Sequence, residues 1–93
     1  MPRFHVYDSF SINDKFTFVL VGLVLEGYVV QGMAVSIPFN GNARMRAQID
    51  RIENIHRPEG EVVCLCIDCS VPDEIVLWEA LNIKNRTIEI AMA

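Results

Sequence analysis

The chain has little of what catalytic centres and nucleic-acid grips are made of. Histidine occurs twice, at His5 and His56, and cysteine three times, at Cys64, Cys66 and Cys69. Neither histidine has a serine or cysteine beside it with a third orienting group, so no pattern points to nucleophilic catalysis. No Gly-x-x-x-x-Gly-Lys-Ser/Thr loop occurs, which excludes a phosphate cradle of that kind. Positive charge is not in excess: 8 Lys and Arg face 12 Asp and Glu, a net charge of −4. That balance disfavours a general electrostatic hold on nucleic acid or on an anionic membrane. Long apolar runs are also lacking. The longest, 16–25, is broken by Thr17 and Gly22 and is too short and too strand-like for a membrane helix. The first eight residues hold no continuous apolar stretch, so no signal peptide is expected. The odd number of cysteines fits reduced thiols, and a cytoplasmic location is the expectation. No repeat, low-complexity segment or linker divides the 93 residues, so a single domain spanning 1–93 is expected.

What the chain does have is apolar surface. Hydrophobic residues make up 52% and charged residues 22%, which excludes a disordered chain. This is more apolar material than a small interior needs, so some must lie outside and be covered by a partner or a second copy. Gly22, Gly27 and Gly32 punctuate a run of strand-forming residues between Phe16 and Ile37. Glycine in such a run marks places where a strand bends or turns. The pattern predicts strands over Arg3–Ile12, Phe16–Glu26, Met33–Ile37, a long Ala43–Ile55, Glu61–Cys69 and Arg86–Ala91. Asn13-Asp14-Lys15 reads as a tight turn, and Pro38–Asn42 as a loop with Asn40-Gly41 suited to positive φ. His56–Gly60 is a second loop. Ser70–Glu74 reads as a short helical turn, with Ser70 as cap, Pro72 at the start and acids at its positive end. Leu77–Leu81 leads to the last strand. The fold expected is all-β, a small closed or nearly closed barrel of about six strands.

The order of these elements resembles the β-barrel second domain of translational GTPases, the elongation factor Tu family. Phe10-Ser11-Ile12 matches that domain's opening motif. Gly22, Gly27 and Gly32 match its strand, turn and hairpin glycines. Val62 to Cys69, followed by Val71-Pro72-Asp73-Glu74-Ile75, matches its late apolar strand and acidic turn. The resemblance covers roughly residues 5–91, a single-barrel span. There are departures. Asp68-Cys69 stands where the family has Arg-Gly, and Ala80 where it has a glycine before the last strand. The turn after Ile12 is a residue longer and lacks glycine, with Phe16 where a small residue is common. The GTPase domain itself is absent, so the resemblance implies a free-standing barrel without GTP hydrolysis, with or without a separately encoded GTPase. In the family this barrel contacts ribosomal RNA and the acceptor end of charged tRNA; the residues at the corresponding edges differ here.

Two strands are apolar on both sides. With Phe18, Leu20, Gly22 and Val24 facing inward, Thr17, Val19, Val21, Leu23 and Leu25 face outward. In the late strand Val63, Leu65 and Ile67 share one face, and Val62, Cys64 and Cys66 the other. Strands of this kind are covered on both faces. Either terminal segments fold over the outer side, or it makes a homodimer or binds a protein partner. The leading expectation is a non-catalytic interaction module that uses Val19, Val21, Leu23, Leu25, Cys64 and Cys66. No cofactor is expected.

The remaining candidates are weaker. Cys64-Leu65-Cys66-Ile67-Asp68-Cys69 is the one metal-like cluster, and a metal- or redox-responsive module is the reading it would support. Zinc needs four converging ligands, usually from Cys-x-x-Cys pairs, and no spacing here supplies the fourth. Small buried hydrophobes are the plainer role for these cysteines. Arg44, Arg46 and Arg57 form the candidate strip for a ribosome- or RNA-associated accessory factor. Acids from Asp50 to Glu61 neutralise that segment, and Phe39 and Tyr28 are the nearest rings for base stacking. Arg44 and Arg46 share a face with Gln48 and Asp50, opposite Met45, Ala47 and Ile49. Trp78 is expected as a core plug rather than a ligand platform.

Overall fold

A computed structural model describes residues 2–12, 16–40, 43–58, 60–69, 72–81 and 83–92, apart from the side chains at 39, 40, 72 and 73. The Asn13-Asp14-Lys15 turn, Gly41, the Ser70 cap and the Phe39 ring lie outside the described residues. Seven strands and one helix follow in the order β1 (Arg3–Ile12), β2 (Thr17–Glu26), β3 (Ala34–Asn40), β4 (Ala43–Gln48), β5 (Arg51–Arg57), β6 (Gly60–Asp68), α1 (Pro72–Ala80) and β7 (Arg86–Ala91). All seven strands form one antiparallel sheet in the order β4-β3-β7-β1-β2-β6-β5.

The fold is mostly β, and α1 runs to Ala80 where only a turn at 70–74 is expected from the sequence. The reason is burial: Ile75 and Trp78, three residues apart, both enter the core, and holding both there takes a helix long enough to present one face twice. The strand count differs too. The long strand expected over Ala43–Ile55 is two strands, because the chain changes neighbours at Ile49-Asp50. Ile49 N–H donates to Met33 O on the β3 side, and Asp50 N–H donates to Cys66 O on the β6 side. The Asp50 carboxylate also accepts from Asp68 N–H at 2.6 Å, which pins the joint to the end of β6. The Pro38 loop is likewise part of β3. Pro38 pairs with Arg44 of β4, while β7 pairs only with Ala34, Val35 and Ser36, so Pro38 stands where β3 has a neighbour on one side only, the kind of edge position that tolerates proline.

This connectivity bends the sheet. A flat seven-stranded sheet would set its first and last strands about 29 Å apart. The outermost strands here are β4 and β5, and the three peptide steps from Gln48 to Arg51 reach about 11 Å at most. The sheet must curl until its two ends come that close. It is not closed by a ladder, since β4 and β5 are the ends of the pairing order.

A β-bulge at Tyr7 adds to the bend: Val6 pairs with Gly22 and Asp8 with Val21, leaving Tyr7 without an opposite residue. Gly22 is required there, because a Cβ at this position would collide with the His5 carbonyl. Gly32, at φ +94°, makes the turn into β3. The core lies on the concave side. Phe4, Val6, Phe18, Leu20, Val35, Ile37, Ile49, Leu65, Ile67 and Ile90 are buried there with Trp78. The inward assignment of Phe18 and Leu20, and of Leu65 and Ile67, matches the alternation in the sequence.

Candidate functional site

The outer side of the sheet carries a second, smaller apolar cluster. Pairing places residues in rows that cross the strands on one face. One row runs Phe10–Val19–Cys66–Arg51 and the next Asp8–Val21–Cys64–Glu53. Ile55 opposite Val62 continues the face toward the β5–β6 tip. Val19, Cys64 and Cys66 form the centre of this cluster, with Ile12 and Val21 packed against it.

The six residues expected to form an interface therefore differ in access. Val19, Cys64 and Cys66 are buried within the chain itself, each 4% exposed. Their neighbours in the rows and the Arg51 guanidinium, which reaches the Cys66 Sγ at 3.9 Å, cover them. Val21 and Leu23 are half-buried and Leu25 is exposed. Phe10, Tyr7 and Ile55, which are not among the interface residues expected from the sequence, are exposed at 40–48% and extend the patch. Phe10 is out of phase with the buried Phe4 and Val6, and the bulge at Tyr7 accounts for its outward position. Helix α1 packs on the other side, through Ile75 and Trp78.

The cysteines are free thiols. Burial pushes the Cys64 thiol up from its ordinary pKa, and the neighbouring Cys66 and Glu53 add to that while Arg57 opposes it. Burial does the same at Cys69, reinforced by Glu74, Asp68 and Asp50. Among the described residues no three of His, Cys, Asp and Glu converge as metal ligands would. Such protonated, covered thiols suit packing rather than nucleophilic or redox chemistry.

The three arginines of the basic strip are divided between β4 and β5, the opposite ends of the strand order. Arg44 donates from Nε to the Ser36 hydroxyl at 2.7 Å and sits 4.0 Å from Glu89. Arg46 donates to the Met92 carbonyl. Arg57 lies at the exposed end of β5. His5 contacts the Thr87 hydroxyl at 3.2 Å and the Tyr7 ring edge-on, and His56 is an exposed residue 3.8 Å from Glu61.

One feature was invisible in the sequence. Pro2, Tyr28, Met33, Ile90, Ala91 and Met92 line an apolar cleft of about 420 Å³. No periodicity links these positions; the Ile90 N–H to Pro2 O bond brings the two ends of the set together. Tyr28 stands 71% exposed at its rim. Among the described residues no helix is long and apolar enough to cross a membrane.

No family model matches the chain, and neither a curated protein nor a solved structure does. The reading of its role rests on the faces just described.

Proposed function

We propose that this chain is a non-catalytic binding module: a barrel-like relative of the second domain of translational GTPases that works without GTP hydrolysis and engages a protein, a second copy of itself foremost, through the outer face of β2 and β6. One observation carries this reading. The sheet is apolar on both sides, yet among the described elements only the concave side has a helix packed on it. The curl forced by the Ile49-Asp50 joint supports the barrel-like part of the proposal. The arginine strip supports an RNA role less well, because Arg44 and Arg46 are already bonded to Ser36, Glu89 and the Met92 carbonyl.

The test uses the half-buried rim rather than the buried centre of the cluster. Val21→Lys and Leu23→Lys place a charge on the face while leaving the core intact. Light scattering over a range of concentrations should show an assembly for the native chain and its dispersal in both variants, with unchanged circular dichroism. Unfolding of the variants without dispersal would overturn the assignment of this face.

A further inference from the structure

The β5–β6 hairpin projects from the curled sheet. From Glu53 to Pro58 every residue of β5 and its tip is exposed, on both faces of the strand. β5 is also an end of the sheet, bonded only to β6, so the other edge of its backbone has no ladder partner. An uncovered edge of this sort invites pairing with another strand. Edges that repel such pairing carry charges of one sign along them. β5 carries both signs, in an order that complements itself.

We infer that β5 pairs antiparallel with β5 of a second copy, in the register centred on Ile55. In that register Glu53 lies opposite Arg57 of the other copy, Ile55 opposite its own counterpart, and Asn54 opposite His56. A two-fold axis repeats each contact, so two Glu–Arg pairs form for each association. Glu53, Ile55 and Arg57 stand on the outer face, as their pairing with Cys64, Val62 and Gly60 of β6 requires. The Ile55 pair would therefore continue the apolar row through Val62. The register centred on Asn54 sets Arg51 opposite Arg57, like charges directly across a ladder, which is unfavourable. The register centred on Ile52 also sets Arg51 opposite Glu53, but its axis falls on the half-buried Ile52 and it runs into the Ile49-Asp50 joint, whose N–H groups are already bonded to Met33 and Cys66. The inference rests on self-association as the module's role and adds to the contact at the outer face a second one, at the β5 edge and in this register.

A charge exchange tests it. Glu53→Arg and Arg57→Glu are each made at exposed positions, and each sets like charges face to face across the two-fold axis. Each variant alone should associate about tenfold more weakly than the native chain, a loss of the size expected from opposing charges at an interface. An equimolar mixture of the two variants restores both oppositely charged pairs, and so does the double variant carrying both changes. Both should regain native association. The readout is apparent mass by light scattering across concentration, with thermal melts confirming that each variant is folded. Native association that also weakens as salt is raised agrees with the inference. Single variants that associate as the native chain does would overturn the β5 register. If Val21→Lys still dispersed the assembly in that case, the outer face would remain the site of contact. A native chain that is monomeric at every concentration would overturn self-pairing altogether.

Discussion

The Phe18 ring stacks on the Trp78 indole, with centroids 5.6 Å apart and planes 26° from parallel. Phe18 belongs to the inward row of β2 and Trp78 to the buried side of α1, so this contact fastens the helix to the sheet. Removing the indole leaves a cavity and detaches the helix together. Trp78→Ala should lower stability by about 3–5 kcal/mol, the range for large aromatic truncations in cores. Urea unfolding followed by circular dichroism measures it. Trp78 is the chain's sole tryptophan, and its burial at 1% exposure should give a blue-shifted emission poorly quenched by acrylamide until the protein unfolds.

Gly22 faces the His5 carbonyl across the bulged pair of β1 and β2. A methyl group there meets backbone, which cannot rotate aside. Gly22→Ala should therefore destabilise by about 3 kcal/mol, at the upper end for overpacked sites. A thermal melt checks it; an unchanged midpoint would mean that the bulge can open.

Phe16 holds φ +51°, a left-handed conformation that suits glycine or asparagine. Its carbonyl accepts the Cys69 N–H at 2.7 Å, so the strained residue is fixed to the end of β6. Phe16→Gly and Phe16→Asn should each stabilise the protein by about 0.5–1 kcal/mol, after the entropy lost with glycine is set against the relieved strain. The denaturation midpoint in urea should rise.

The thiols give a pH prediction with a definite sign. Cys64 and Cys69 have raised pKa values in the folded protein, for which burial is the main cause. In the unfolded chain a thiol ionises from about pH 8.5 upward. Above that point the unfolded state sheds protons that the folded state keeps, so this contribution to stability is complete below the unfolded value and is lost as pH rises from there through the folded values. Thermal midpoints measured from pH 7 to pH 10 should decline on this limb, and less steeply once both cysteines are replaced by alanine. For the same reason a thiol-specific disulfide reagent should react slowly with the native chain and fast in denaturant.

Much of this architecture could be read from residue order. Period-two alternation separated Phe18 and Leu20 from Val19 and Val21, and Leu65 and Ile67 from Cys64 and Cys66, because a strand sends neighbours to opposite faces wherever it sits. The break at Ile49-Asp50 was harder to see. Inward apolar residues occupy odd positions at Met45, Ala47 and Ile49, then an even one at Ile52. That change of phase is the trace of a chain changing partners, but within an otherwise unbroken strand pattern it reads as an irregular tail. The helix to Ala80 was hidden because Val76 and Leu77 are apolar and exposed, at 64% and 54%, which blurs the periodicity. The apolar cleft depends on where residues 2, 28 and 90–92 meet, which only tertiary structure decides. The outer patch was half legible: Val19 and Val21, with Cys64 and Cys66, lie on it as alternation requires, whereas Phe10 joined it through β1 pairing and the bulge.

The outer cluster of Val19, Cys64 and Cys66 also bears on how the strands find their alignment. In most sheets a slip of one residue turns the apolar side to water, and that penalty guards the pairing. β2 and β6 have no such guard, because a slip would exchange one apolar set for another. At the paired centre of the two strands what separates the sets is bulk: Phe18, Leu20, Leu65 and Ile67 inside, Val19, Val21, Cys64 and Cys66 outside. Alignment in this protein is therefore selected by side-chain volume and by fixed points such as Gly22 and the Asp50 clasp on Asp68, rather than by aversion to solvent.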